Sequence, residues 1–480
     1  MHSSREPWWH GGVLYQVYPR SFADSTGDGI GDLAGLCGRL DYLEWLGVDG
    51  IWLNPTFPSP NKDWGYDVSD YCGVHPDLGT LADLDALIAD ARRRGISVLL
   101  DLVPAHTSDQ HPWFVESRSS RDAARRDWYI WRDRVNDQES VFGGSAWTHD
   151  AATGQYFHHR FLSQQPDLNW LNPSVRDAFD EILRFWFDRG VAGFRIDVVH
   201  ELVKDPPDRP NDPETHRVLR RWRALADTYD PARVLVGETW VFDLARLASF
   251  YGTGTDELHL AFNFPFVFAE LEGGALAEVV SETERALPAG AWPVWTFSNH
   301  DVVRFPTRIC GGDERKVRTA LLILLCLRGT AVLYYGDELG MSQTDIPPDR
   351  VLDVRDRDGA RTPMPWGDVE WRNPWLPLGT DVRSVTEQRD DPGSVLALCR
   401  ELIALRRERP ELASAAYEHL ETDSEVWAWR RGDSITVAVN LSEDRAKVDL
   451  GGRALLSTGG SDSDSVLEPW EGVVLEVETA

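Results

Sequence analysis

Lysine is almost missing from this chain, standing only at positions 62, 204, 316 and 447. Acids outnumber bases 78 to 49, for a net charge of −29. A surface so negative repels phosphate backbones and anionic lipid, which excludes nucleic acid and a membrane surface as partners. Cysteine is scarce too: Cys37, Cys72, Cys310, Cys326 and Cys399 are scattered and never form a Cys-x-x-Cys pair. That excludes a zinc site or a disulfide framework and fits free thiols in a reducing compartment. No apolar run is long enough to span a bilayer; the longest, Leu321–Leu327, is broken by Arg328. Met1–Glu6 lacks the apolar stretch of a signal peptide, so the expected location is cytoplasmic. There are no internal repeats. The only low-complexity stretch, Ser457–Ser465, is expected to be a surface loop.

What is present is an alternation. Val13–Tyr18, Gly50–Leu53, Ile96–Val103, Ala192–Val198, Val234–Gly237, Leu258–Phe262, Val294–Phe297 and Ala331–Tyr335 read as strands. Helical patterns lie between several of them, over Leu33–Leu46, Leu81–Arg94, Ser174–Arg189, Asp212–Tyr229 and Asp313–Leu327. Strand–helix alternation implies a parallel sheet, and eight such units close as a (β/α)₈ barrel of the α/β class. The connection after the third strand is too long for a simple crossover and is rich in Trp, Asp, His and Gly. It reads as a small inserted domain overhanging the barrel mouth. After a last helix, Val395–Arg409, the pattern turns to strand-like alternation at Val426–Arg430, Ser434–Val439 and Val466–Val477, a C-terminal antiparallel β domain of sandwich type. The expected division is barrel over 1–103 and 169–410, insertion over 104–168 and β domain over 411–480.

Three acids end or follow strand-length runs: Asp197 in Gly-Phe-Arg-Ile-Asp, Glu238 in Val-Gly-Glu-Thr and Asp301 in Phe-Ser-Asn-His-Asp. Acids at separate strand ends converge at the mouth of a barrel. A nucleophile, a general acid and a third acid gripping the sugar are the equipment of a retaining glycosidase. Arg195 lies two residues before Asp197, so on a strand both face one side, and the cation is expected to keep the nucleophile ionised. Glu238 must instead carry a proton to donate to the leaving oxygen. His106 and His300 follow strand ends and are placed to donate to sugar hydroxyls; either alone reads equally well as a core or capping histidine. Arg357 and Arg361 sit in a Gly- and Pro-containing loop ending at Trp366, suited to sugar or carboxylate recognition, or simply tied down by ion pairs.

Asp24-Ser-Thr-Gly-Asp-Gly-Ile-Gly-Asp32 spaces acids at every fourth position between turn glycines. It resembles the start of an EF-hand loop without the terminal Glu. One reading is a structural Ca²⁺ (or Mg²⁺) bound through Asp24, Thr26, Asp28, the carbonyl of Ile30, and Asp32; the other is a solvated acidic turn. No organic cofactor is expected.

Taken in order, these motifs resemble the α-amylase superfamily of glycoside hydrolases, in its oligo-1,6-glucosidase/α-glucosidase branch. Gly50–Pro55, Asp63–Val68, Gln165–Asn169 (Gln-Pro-Asp-Leu-Asn), Tyr334–Leu339 and Arg361–Trp366 carry the likeness over nearly the whole chain. The resemblance implies Asp197 as nucleophile, Glu238 as general acid/base and Asp301 as transition-state stabiliser on the sugar 2- and 3-hydroxyls. It implies Arg195, His106 and His300 around the same sugar, Asp63 paired with Arg361 behind the non-reducing end, and Tyr66 stacked on the ring. Phe142, Phe161 and Gln165, from the insertion, are expected to line the pocket. A closed pocket implies exo action on small oligosaccharides or disaccharides of maltose or isomaltose type, with transglycosylation where a sugar or alcohol replaces water. The alternative within the branch is a glucosyltransferase or sugar isomerase, such as a trehalose or isomaltulose synthase or a sucrose-active enzyme.

The chain departs from the family in four places, one being a short loop before Arg357 that bears on the aglycone side of the pocket. Ala105 stands where Asn usually binds calcium between barrel and insertion, so no calcium is expected there. Thr26 replaces the usual Asn of the metal loop. Val198 follows the nucleophile, as in many α-1,6-active relatives, but Val199-His200-Glu201 does not continue their pattern.

Overall fold

Eight short parallel strands build the centre of the computed structural model, which describes residues 7–204, 210, 212–368, 371–379, 382–422, 426–448, 450–459 and 466–477. They are Val13–Val17, Gly50–Leu53, Ser97–Leu102, Gly193–Ile196, Val234–Gly237, Leu260–Ala261, Val294–Trp295 and Thr330–Tyr334. Each lies within or one residue beyond a strand expected from sequence. The hydrogen-bonded order runs from the seventh through the eighth and first to the sixth. A parallel bridge between Phe262 and Val294 closes the ring. The result is a (β/α)₈ barrel.

Period-two alternation sorts the strand residues. Val13, Tyr15, Val17, Ile51, Leu53, Val98 and Leu100 pack outward against the helices. Leu14, Trp52, Leu99, Val234, Val236, Leu260, Val294 and Val332 pack together inside the barrel. Two residues further along the same inward-facing columns, the side chains turn polar: Gln16 after Leu14, Asn54 after Trp52, Asp101 after Leu99, Arg195 and Asp197 after Gly193, and Glu238 after Val236. An apolar plug below and a charged floor above follow from one alternation.

The helices form where expected, over Leu81–Arg93, Pro173–Asp188, Asp212–Ala226, Glu314–Cys326 and Val395–Glu408. Their ends are chemically marked. Thr80 and Asp83 form a reciprocal capping box, and Asn172, Asp313 and Ser394 accept first-turn N–H groups. The expected helix over Leu33–Leu46 is instead two, Leu33–Cys37 and Leu40–Leu46, parted at Gly38.

The insertion carries a three-stranded antiparallel sheet of Trp131–Arg132, Gln155–His158 and Trp147–Asp150. Its seam with the barrel is charged. The Lys204 ammonium lies 3.0 Å from Asp167, whose carboxylate also meets His158 Nδ1 at 2.7 Å, and both acid and histidine are fully buried. Arg160 reaches across to Glu201 at 2.7 Å. Ala105 is buried beside this seam, its carbonyl accepting the Leu168 N–H. Lys204 and Arg160 are the positive charges described at this seam. A five-stranded antiparallel sheet, with a second two-stranded piece, forms the C-terminal domain. Of the low-complexity stretch, residues 460–465 lie outside the described residues.

Candidate active site

The charged floor is continuous. The Gln16 amide donates to Asn54 at 2.8 Å, Asn54 donates to the Tyr66 hydroxyl at 3.0 Å, and that hydroxyl lies 3.0 Å from Asp101. Arg195 then gathers three acids. Its Nη1 donates to Asp101 at 2.8 Å and Asp197 at 2.7 Å, and its Nη2 lies 2.9 Å from Glu238 Oε2. The guanidinium also lies over the Trp52 ring, 5.1 Å from its centre. Glu238 Oε2 also accepts the Val198 N–H at 2.9 Å. Val198 reaches it from a left-handed backbone, φ 44°, a strained conformation for a β-branched residue.

Electrostatically, one cation shared by three buried acids is not enough. Burial pushes the Asp197 carboxyl well above the usual range, Arg195 pulls it back, and Glu238 and Asp101 add to the rise. Burial likewise pushes Asp101 up to about 7 against the pull of Arg195. Arg195 favours the ionised form of Asp197 as expected, but its guanidinium is divided among three acids and burial works against it. This predicts the effect of Asp101→Asn, which keeps the shape and removes one negative charge. Asp197 then loses its proton more easily, so the acidic limb of kcat/KM moves to lower pH. An unmoved or upward-moving limb contradicts this account.

Asp301 is held differently. Burial raises its carboxyl, but His300, Arg357 and Arg361 together hold it well below the usual range. Arg357 donates to it at 3.0 Å and Arg361 at 2.9 Å. His300 Nε2 lies 3.2 Å away and 2.6 Å from the Tyr66 hydroxyl. Burial pushes His300 well below its ordinary value against the pull of Asp301, and holds His106 down to about 4, so His106 is a neutral hydrogen-bonding group. His106 Nδ1 has no protein partner.

Above the floor opens a cavity of 510 Å³, within the range of small-molecule sites. Asp63, Tyr66, His106, Phe142, Phe161, Asp197, Glu238, Asp301 and Arg357 line it. Arg195, Gln165, His300 and Arg361 do not; they lie beneath the wall and hold it in place. Gln165 was expected to line the pocket, but it is fully buried and donates to Asp63 at 3.0 Å, 3.1 Å from His106. Tyr66 lies parallel to His300, with ring centres 5.4 Å apart. The expected pairing of Asp63 with Arg361 is also corrected. Asp63 pairs with Arg357 at 2.6 Å, while Arg361 donates to Asp301 and to the His300 carbonyl. A one-turn 3₁₀ helix over Asp358–Ala360 separates the two arginines and points them at different acids. Asp353 fixes Arg357 at 2.6 Å, and Arg355 donates to the Val141 carbonyl at 2.9 Å. Insertion and loop thereby close one side of the cavity.

Sequence reading missed Asp101, Asn54, Asp353, Trp240, Arg246 and Arg355. Inward parity at the strand ends was the available signal for Asp101 and Asn54. The others come from loops whose course no local pattern sets.

The Asp24–Asp32 loop stands apart from this cavity. Asp24 accepts from the N–H groups of Thr26, Gly27 and Gly29, and Asp28 from that of Ile30. Asp32 accepts from Ser25 and caps the next helix through Gly35. The donors are of the right class for a hard cation. The fit is partial: among the described residues no group of three His, Cys, Asp or Glu side chains is arranged to hold a metal ion.

The α-amylase catalytic-domain model matches residues 16–415. This chain belongs to the α-amylase family. A probable α-glucosidase of Rhizobium meliloti is 41% identical, over 92% of this chain and 91% of that protein. A glucan 1,6-α-glucosidase of Streptococcus pneumoniae is 35% identical, over 98% and 100%. The crystal structure of an α-glucosyl transfer enzyme superposes with a TM-score of 0.92 at 36% identity, covering 99% of this chain and 100% of the other. The protein is a glycoside hydrolase of this family. Among the described residues no helix is long and apolar enough to cross a membrane.

Proposed function

We propose that the enzyme is a retaining, exo-acting α-glucosidase that releases glucose from the non-reducing end of short maltose- or isomaltose-type α-glucosides in the cytoplasm. One observation carries this reading: Asp197 and Glu238 contact adjacent nitrogens of a single guanidinium. This shared partner supports the short-separation class of carboxylate pairs, about 5–5.5 Å, in which one carboxylate attacks directly. Asp197 attacks the anomeric carbon while Glu238 protonates the leaving oxygen. The β-glucosyl ester that results is hydrolysed by water activated by Glu238, now a base, and the α configuration returns. Glu238 Oε2 already accepts the Val198 N–H and lies against the Arg195 guanidinium, so its proton travels on Oε1. Asp301, fixed by two arginines, is placed to accept from sugar hydroxyls. The Asp63–Arg357 pair and Phe142 support exo action by closing the far end.

Incubation with maltose, isomaltose, sucrose and trehalose, then with maltotriose and isomaltotriose, tests this reading. Glucose from maltose or isomaltose, and glucose plus a disaccharide as first products from a trisaccharide, are expected. No glucose from either disaccharide overturns the reading. The second reading, a glucosyltransferase of the same fold, is favoured by the similarity to the α-glucosyl transfer enzyme. New glycosides with little free glucose would select it.

We further propose that the Asp24–Asp32 loop binds Ca²⁺ (or Mg²⁺) through Asp24, Thr26, Asp28, the Ile30 carbonyl and Asp32, with Asp32 exchanging Ser25 for the ion. Tm should then rise with Ca²⁺ concentration, fall with EDTA, and become insensitive to both in Asp28→Asn. A Tm indifferent to Ca²⁺ and EDTA in the unmodified protein contradicts it.

A further inference from the structure

A chain with 78 acids and 49 bases is expected to line its surface hollows with acids. One cavity does the opposite. Arg121, Arg126, Arg132 and Lys204 line it against a single acid, Asp127. Its volume is 380 Å³, and it shares no lining residue with the catalytic cavity. The three arginines belong to the insertion. Lys204, one of four lysines in the chain, comes from the loop after the fourth barrel strand. The cavity therefore spans the seam between insertion and barrel.

Acids do not match the charge here. Arg126 spends its donors on neutral oxygens: the Ser117 carbonyl at 3.0 Å, Thr153 Oγ1 at 3.1 Å and Gln155 Oε1 at 2.6 Å. Its Nε has no hydrogen-bond partner. Its guanidinium carbon lies 3.4 Å from the centre of the Trp131 ring, a stack that fixes the plane of the fork. Arg132 donates to the Trp131 carbonyl at 2.9 Å. Among the described residues neither arginine forms an ion pair with an acid. The acids nearby are committed elsewhere. Asp133 pairs with Arg121 at 3.1 Å, Asp150 with Arg118 at 2.9 Å and Asp167 with Lys204 at 3.0 Å. Burial works against the charge on Arg126, Asp150 favours it, and Arg121 works against it again.

Guanidinium forks match the oxygens of a phosphate in shape and charge. The negative charge of the whole chain does not bar a small anion, because charges beyond about 8 Å are largely screened at physiological salt. The volume is in the range of small-molecule sites and exceeds what a bare phosphate fills. Gln155 and Asn169 also line the cavity and bring amide groups, which suit hydroxyls.

We propose that this cavity binds a small phosphomonoester such as a sugar phosphate, its phosphate held by Arg126 and Arg132 and its hydroxyls by Gln155 and Asn169. Because the walls come from both insertion and barrel, an occupant ties the two together and stabilises the docked arrangement. The site is independent of which glucoside the enzyme cleaves.

Calorimetric titration with glucose 6-phosphate, and with inorganic phosphate for comparison, tests the proposal at about 0.15 M salt, where non-specific attraction is screened. The unmodified enzyme, Arg126→Gln and Arg132→Gln are compared. Arg132 is exposed, so its variant keeps the test open if Arg126→Gln fails to fold. The expected result is saturable binding of one glucose 6-phosphate per chain, weakened about tenfold or more in each variant, the scale of one lost charge-assisted hydrogen bond. Tm should rise with glucose 6-phosphate in the unmodified enzyme and much less in Arg132→Gln, while disaccharide cleavage by Arg132→Gln stays unchanged. No saturable binding overturns the proposal. So does binding that both variants leave intact, since the anion then sits elsewhere. Inorganic phosphate binding as tightly as glucose 6-phosphate overturns the phosphomonoester and leaves the free ion as occupant.

Discussion

Asp197→Ala lowers kcat on the best disaccharide by about 10⁴-fold or more, the scale on which covalent enzymes suffer from losing their nucleophile. The fold should survive, since Arg195 keeps Asp101 and Glu238 as partners. The vacated space also offers a sharper readout. Azide can enter it and attack the anomeric carbon of an aryl α-glucoside from the face that Asp197 normally uses. The expected product is β-glucosyl azide, opposite in configuration to the substrate. A loss of less than about tenfold, which would place Asp197 among ordinary binding groups, contradicts its role. So does an azide product of α configuration.

Lys204→Met carries the largest expected effect on stability. The ammonium is buried at the seam between barrel and insertion, and Asp167 beside it is fully buried. One Asp167 oxygen has no hydrogen-bond partner, so the lysine is not easily replaced. Electrostatics agree with the geometry: burial would raise the Asp167 carboxyl, yet Lys204 and His158 hold it well below the usual range. Methionine fills the space but leaves Asp167 with His158 alone. Removing one partner of a buried pair costs about 3–5 kcal/mol. In this chain that corresponds to a fall of about 3–5 °C in the thermal midpoint. The double variant Lys204→Met/Asp167→Asn removes both charges and should recover a large part of the loss. A single variant as stable as the unmodified protein, or a double variant at least as damaged as the single, contradicts the account. Because this seam adjoins the loop that follows Asp197, the single variant should lose activity below the temperature at which the barrel melts.

The barrel was legible because buried parallel strands are short continuous apolar runs, and such runs mark their own ends. Val234–Gly237 and Gly50–Leu53 were found to the residue. The convergence of Asp197, Glu238 and Asp301 followed from their positions at strand ends. Contacts made between loops were not legible. Arg357 and Arg361 are four residues apart in one loop, and nothing in their spacing says which one meets Asp63. Arg195 was recognised as the neighbour of Asp197, but its division among three acids depends on Asp101 and Glu238 arriving from adjacent strands. Gln165 belongs to a family motif, yet its burial behind Asp63 depends on how the insertion folds back.

The central claim is double displacement at Asp197 with Glu238 as acid and base. Proton NMR of the first minutes of maltose or isomaltose hydrolysis tests it most directly, read before mutarotation mixes the anomers. The account predicts α-glucose as the first product from the non-reducing end. β-Glucose as the first product would mean a single displacement by water, and would contradict it.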